Sequence, residues 1–366
     1  MNLRPIVLFA SLQAMLGVAV TGCSPTSDDP KEQEVVVSQE ALQDEQQLLW
    51  TQHAAWTRTL LVETLADTSS TPQVKVRLRD AHADLGDALR PFFGDEAAVA
   101  LTDLLAAESG ALIDVLDARR SGDADAAAEA EAHWRARTDE LAALFAEQSS
   151  AWSGETFART LELRVDATLE QIDARLAGDW ARDWSAFERL QLLQRSLADE
   201  ITSGLAANFP ERISLPTQSP ERRAQQQLLR QLWQERAIWT RSYVVSATRG
   251  LPDAPYVLER LSSNGDAIAS ALDGESKLHQ ATSSVLARQS NGVAQVTTAL
   301  LANDPVSIDD AAASFHENAY EIAEILALTA DAPTTELSGQ LQLIAQSTID
   351  QVEARVRGDW NRSEER

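Results

Sequence analysis

The chain has 366 residues, room for two domains with cores of their own, and 44% of them are hydrophobic, which excludes a wholly disordered protein. Fifty-six acidic against 31 basic side chains leave a formal charge of −25, so such a surface repels phosphate backbones and anionic head groups, and nucleic acid is excluded as a partner. Abundant alanine and leucine, with only 15 glycines and few β-branched runs, point to helices.

Residues 1–22 read as a signal peptide. Residues 1–4 carry one positive charge, and residues 6–20 are mostly apolar yet short for a spanning helix. The segment ends in Val20-Thr21-Gly22-Cys23, and Cys23 is the single cysteine, which leaves no intramolecular disulfide and no cysteine metal site. This ending resembles the lipobox of bacterial lipoproteins. The resemblance covers that segment alone, and it implies cleavage before Cys23, acylation of Cys23 by palmitate, and a mature protein held to a membrane of the cell envelope by that lipid. Ser24, where an aspartate would signal retention, implies the outer membrane facing the periplasm in a Gram-negative cell. The other reading is an ordinary secretory signal with a chance cysteine. Residues 23–38 then form the lipidated cysteine and a flexible tether, polar throughout, with Val35-Val36-Val37 too short to make a strand alone.

From residue 39 the pattern is helical. Leu49, Trp56 and Leu60 make one stripe of a first helix over about residues 40–68, with Trp50, Thr57 and Leu61 beside it. Thr71-Pro72 predicts a cap and a second helix ending near Pro91. A third is predicted over residues 95–120, stopping at Ser121-Gly122, and a fourth over 123–147 with Trp134, Leu141, Leu144 and Phe145 apolar. Ser153 with Glu155 and Thr156 opens the fifth.

That fifth helix is written twice. Residues 161–180, LELRVDATLEQIDARLAGDW, match 341–360, LQLIAQSTIDQVEARVRGDW, at an offset of 180 with nine of twenty positions identical. Leu161, Val165, Leu169, Ile172 and Leu176 predict its apolar face; Gly178 suits a left-handed helix end and Asp179 a cap for a sixth helix over 180–208. The fold expected is all-α: two tandem antiparallel bundles, copy 1 over residues 39–210 and copy 2 over 221–366, joined by a Pro-, Ser- and Thr-rich linker at 211–220. Ser219-Pro220-Glu221 is a strong helix start, Gly250 and Pro252-Asp253 end one helix and cap the next, and Asp304-Pro305 opens the fourth of copy 2. Six residues follow Trp360, so copy 2 is expected to lack the last helix and to expose an apolar groove where a protein partner or a second molecule could bind.

The sharpest candidate site is Trp-x5-Trp-Thr-Arg: Trp50, Trp56 and Arg58 in copy 1, and Trp233, Trp239 and Arg241 in copy 2. Two tryptophans and an arginine on neighbouring turns could stack a ring and pair an anion. Equally, the tryptophans could be core and the arginine paired with an acid such as Glu140 or Glu321. Metal is not expected: none of His53, His82, His133, His279 and His316 has a histidine opposite it in the other copy, with Arg236 facing His53 and Arg135 facing His316, and no Glu-x-x-His or His-Glu-x-x-His occurs. His133 with Glu129 and His279 with Glu275 read as helix-face contacts. No nucleophile elbow, phosphate loop or dinucleotide fingerprint is present, so neither an enzyme nor a cofactor is expected.

The Leu-Trp…Trp-Thr-Arg opening, the Asn264…Ala271 segment and Phe315…Asn318-Ala319…Glu321-Ile322-Ala323 look like an uncharacterised bacterial helical family, from which copy 1 departs at Arg137 and Thr138. The family has no established activity, so the resemblance implies an all-α fold and no substrate. Two functions follow as expectations. One is a membrane-anchored envelope lipoprotein acting as a helical interaction or scaffold module. The alternative is a small-molecule-binding bundle, sensor or carrier, using the Trp and Arg cluster of each copy.

Overall fold

The computed structural model describes residues 36–152, 155–273, 277–330 and 333–364. Cys23, the residues before it and most of the tether lie outside them. The fold is all-α, with eleven helices among the described residues and one two-residue bridge between extended segments. The residues divide into two compact units on either side of Thr217 and Gln218. No described helix is long and apolar enough to cross a membrane.

The first unit opens with β1 (Val37–Ser38), which pairs in parallel with β2 (Ile213–Ser214). This corrects two expectations: the end of the tether and the start of the linker belong to the unit. The reason is apolar burial, since Ile213 sits in the core at 4% exposure. Helix α1 (Gln39–Leu65) starts where Ser38 accepts a hydrogen bond from the Ala41 amide. Helix α2 (Thr71–Ser121) holds the two helices predicted here as antiparallel arms. The first arm runs through Pro91 and the chain reverses at Gly94, whose φ of 80° and ψ of −175° no helix contains, so that Thr102 and Ser109 return beside His82. Arg90 ties the two sides of that break together by pairing with Asp87 and Asp95. Helix α3 (Ala124–Gln148) is capped by Asp123, α4 spans Glu155–Leu176, and α5 spans Trp180–Asn208. Gly178 has φ 70°, and Asp179 caps α5 by accepting from the Arg182 amide.

The second unit contains α6 (Pro220–Arg249), α7 (Ala254–Asp273), α8 (Lys277–Ala302), α9 (Pro305–Ala330), α10 (Thr334–Arg357) and a short α11 (Trp360–Glu364). The turn between α10 and α11 repeats the earlier one, with Gly358 at φ 74° and Asp359 accepting from Arg362. A short helix therefore stands after Gly358 where none was expected, for a reason given below. On α6, Gln227 and Arg230 are half-buried and Gln234 is buried. Ala237 is exposed, whereas Ala54, its counterpart in the aligned Trp-x5-Trp-Thr-Arg element, is fully buried.

The core of the first unit is layered along the helix axes. One end is apolar: Leu42 and Trp50 of α1, Leu101 and Leu105 of α2, Leu141 and Phe145 of α3, Phe157 and Leu161 of α4, and Leu197 and Ile201 of α5. The other end holds Leu60, Val74 and Leu78, with Trp56 against them. Polar side chains fill the layer between.

Candidate functional site

Each helix of the first unit crosses from the apolar end into the polar layer within a turn. On α1 the step runs from Trp50 to His53 and Thr57, on α4 from Leu161 to Arg164 and Thr168, and on α5 from Leu197 to Gln194. These spacings of three and four keep the polar groups on the inward stripe, so His53, His82, Glu108, Arg164 and Gln194 are all buried. His53, Glu108, Arg164 and Gln194 line a cavity of about 30 Å³, with His82 beside His53.

The contacts in this layer are few. Gln194 Nε2 donates to His53 Nδ1 at 3.4 Å, and the His53 and His82 rings lie 5.3 Å apart. His82 Nε2 is 3.2 Å from Ser109 Oγ. Glu108 Oε1 accepts from Thr138 Oγ1 at 2.7 Å, and its Oε2 is 3.8 Å from Arg164 Nη2, too far for a hydrogen bond. The Arg164 guanidinium stands over Trp50, 5.3 Å from the ring centre. Among the described residues, Arg164 Nε and Nη1, His82 Nδ1, Gln194 Oε1, Trp50 Nε1 and Thr57 Oγ1 are buried with no hydrogen-bond partner in the protein. Orphaned buried groups are costly and rarely gather by chance. Burial lowers the His53 pKa well below 6.5, and the positive charges of His82 and Arg164 push it the same way. Burial alone holds His82 down at about 4. For Arg164, burial lowers the pKa and the Glu108 carboxylate opposes it.

The Trp-x5-Trp-Thr-Arg residues are not brought together as a pocket. Trp50 is buried in the apolar end and Trp56 lies half-buried at the other, with the Arg77 guanidinium 5.5 Å from its ring. Arg58 is clamped by Asp183, accepting at 2.9 and 2.8 Å, and by Gln171 at 2.8 Å, and it stacks 3.6 Å from the centre of the Trp184 ring. Arg175 joins the same Asp183 at 2.7 Å. In the second unit Trp233 and Trp239 are buried, and Arg241 pairs with Glu364, which also receives Arg355 at 2.7 Å. The arginine partners are thus Asp183 and Glu364. Glu140 instead pairs with Arg137 at 2.7 Å, and Glu321 with Arg288. This explains α11: its one turn delivers Glu364 to the buried Arg355 and the half-buried Arg241. Burial raises the Asp183 and Glu364 pKa values, but the paired guanidiniums outweigh it and leave both below the ordinary carboxylate range.

Arg236, opposite His53, is also fully enclosed in the second unit. Its Nε donates to Gln289 at 2.8 Å, and its Nη2 to the Leu286 carbonyl at 2.8 Å and to Ser290 at 3.3 Å. With neutral acceptors about it, burial lowers its pKa to about 9. The second unit satisfies its buried cation where the first unit leaves one open.

Of the remaining histidines, His133 is exposed and His316 contacts Gln342 and Gln346. Among the described residues no three His, Cys, Asp or Glu side chains gather in a metal-holding group. The sequence carried a signal for the cavity that spacing arguments passed over: His53 and Arg164 are polar residues set on stripes that are otherwise apolar. No family model matches the chain, and no similar curated protein or solved structure was found.

The two kinds of buried arginine should respond oppositely to substitution. Asp183→Ala strands Arg58 and Arg175, and urea unfolding should show a loss of about 3–5 kcal/mol. Arg164→Met with Glu108→Gln removes a poorly answered charge pair and should leave stability unchanged or raise it. A loss from that double change equal to the Asp183 loss would make the polar layer a structural brace.

Proposed function

We propose that the chain is a membrane-tethered ligand-binding module, a sensor or carrier whose site is the polar cavity of the first unit. The observation carrying this reading is Arg164, 7% exposed, lining the cavity with two nitrogens that meet no acceptor in the protein. A guanidinium kept this way costs stability, and a ligand that completes its hydrogen bonds offsets the cost. The second unit supports the contrast, because its enclosed Arg236 already has its acceptors. We read the two units as copies of one module, on the strength of the repeated stretch and the shared arginine–acid–arginine arrangement. The tether reading rests on the lipobox ending at Cys23, and an outer-membrane position facing the periplasm on Ser24. A second reading, self-association through the second unit, is favoured by the exposure of Ala237 on α6.

Three measurements follow. A thermal-shift panel of small anions, cations and neutral polar molecules should yield at least one stabilising class, and Ser109→Leu, which fills the cavity from its wall, should abolish that response. A response that survives Ser109→Leu, or none from any class, rejects the cavity as the site. Cys23→Ser should move the protein from the membrane fraction to the soluble one, and retention would reject lipid anchoring. Sedimentation should show a dimer that Ala237→Glu dissociates; a monomer at every concentration rejects the second reading.

A further inference from the structure

Resting on the cavity reading, we propose that the ligand is a small monoanion, a short carboxylate or an oxyanion of nitrate's size, and that it enters together with one proton. Size comes first. A cavity of about 30 Å³ has room for two or three waters, or for about three or four heavy atoms of one ligand. Phosphorylated, aromatic and lipid ligands are too large.

Hydrogen-bonding sense comes next. Of the cavity's lining groups, Arg164 Nε and Nη1 are donors and nothing else, and both are buried without an acceptor. Against them stands one unanswered acceptor, Gln194 Oε1, while Thr57 Oγ1 can serve either way. A guest for this surface must bring more lone pairs than protons, as a carboxylate or nitrate does.

Charge supplies the proton. Arg164 and Glu108 face each other at 3.8 Å and roughly cancel, so a bare anion would leave the enclosed layer with a net negative charge. The groups able to correct this are the rings of His53 on α1 and His82 on α2, which lie 5.3 Å apart. The charged side chains around them are Glu108 of α2 and Arg164 of α4; α5 presents only the neutral Gln194. Without a guest, burial keeps both rings neutral, and the Arg164 guanidinium adds to it at His53. An anion beside Arg164 offsets its field, and one ring can then take a proton. Binding that takes up a proton strengthens as pH falls, so affinity rises from about pH 8 towards about pH 5.5.

Nitrate, urea and guanidinium test this on the full-length protein, because they share one planar shape and differ in charge, and nitrate does not titrate in this range. Calorimetry in buffers of different ionisation enthalpy should show nitrate binding with uptake of about one proton and affinity changing by up to about tenfold per pH unit. The double variant His53→Gln, His82→Gln should bind nitrate weakly and without pH dependence. Arg164→Lys, which keeps the charge but loses the guanidinium geometry, should also weaken it. Urea or guanidinium binding in place of nitrate, sensitive to Ser109→Leu, overturns the ligand class while the cavity stands as the site. Nitrate binding that ignores Ser109→Leu or takes up no proton overturns the proposal, as does the absence of nitrate binding at every pH.

Discussion

A guanidinium inside a helical bundle must be answered, because its desolvation costs more than almost any single contact returns. Much of this chain's polar architecture follows from how that demand is met at successive places. Arg58 and Arg175 share Asp183, Arg241 and Arg355 share Glu364, and Arg236 is distributed over carbonyls, a glutamine and a serine. Arg164 is the exception, with a carboxylate at 3.8 Å and two nitrogens unanswered. What sets Arg164 apart is that its nearest carboxylate lies beyond hydrogen-bond distance, whereas Arg58 and Arg241 each hold one directly.

The same demand shapes the backbone. Asp183 reaches Arg58 because Gly178 and Asp179 turn the chain sharply, so the first turn of α5 lies beside the last turns of α4. In the second unit Gly358 and Asp359 make the same turn, and the single turn of α11 is long enough to seat Glu364. The arginine–acid–arginine groups close the helix ends, while the apolar cluster from Leu42 to Ile213 closes the opposite end of the first unit. Between two closed ends a polar layer is shielded from bulk water, which strengthens every electrostatic term within it.

Much of the fold was legible in the sequence because helix periodicity, caps and glycine stops are local signals. Ser38, Asp123, Gly178, Asp179, Ser219 and Gly358 act where local chemistry places them. Pro91 pointed to the right place, because the helix stops within three residues of it and the chain reverses at Gly94. Ile213 was hidden because a lone apolar residue in a polar stretch says nothing of which core receives it. The partner of Arg58 lies 125 residues away, and spacing cannot choose among 56 acids. The tryptophans drew the eye to Trp-x5-Trp-Thr-Arg, although stripes of aromatic residues usually form core. Residues interrupting the stripes, His53 and Arg164, were the better guide.

A crystal structure of the full-length protein grown with nitrate near pH 6 is the most direct measurement. The account predicts a trigonal ligand in the first unit within hydrogen-bond distance of Arg164 Nε or Nη1, with no counterpart beside Arg236. An Arg164 closed onto Glu108 in a two-pronged pair, with no ligand between the helices, would contradict it.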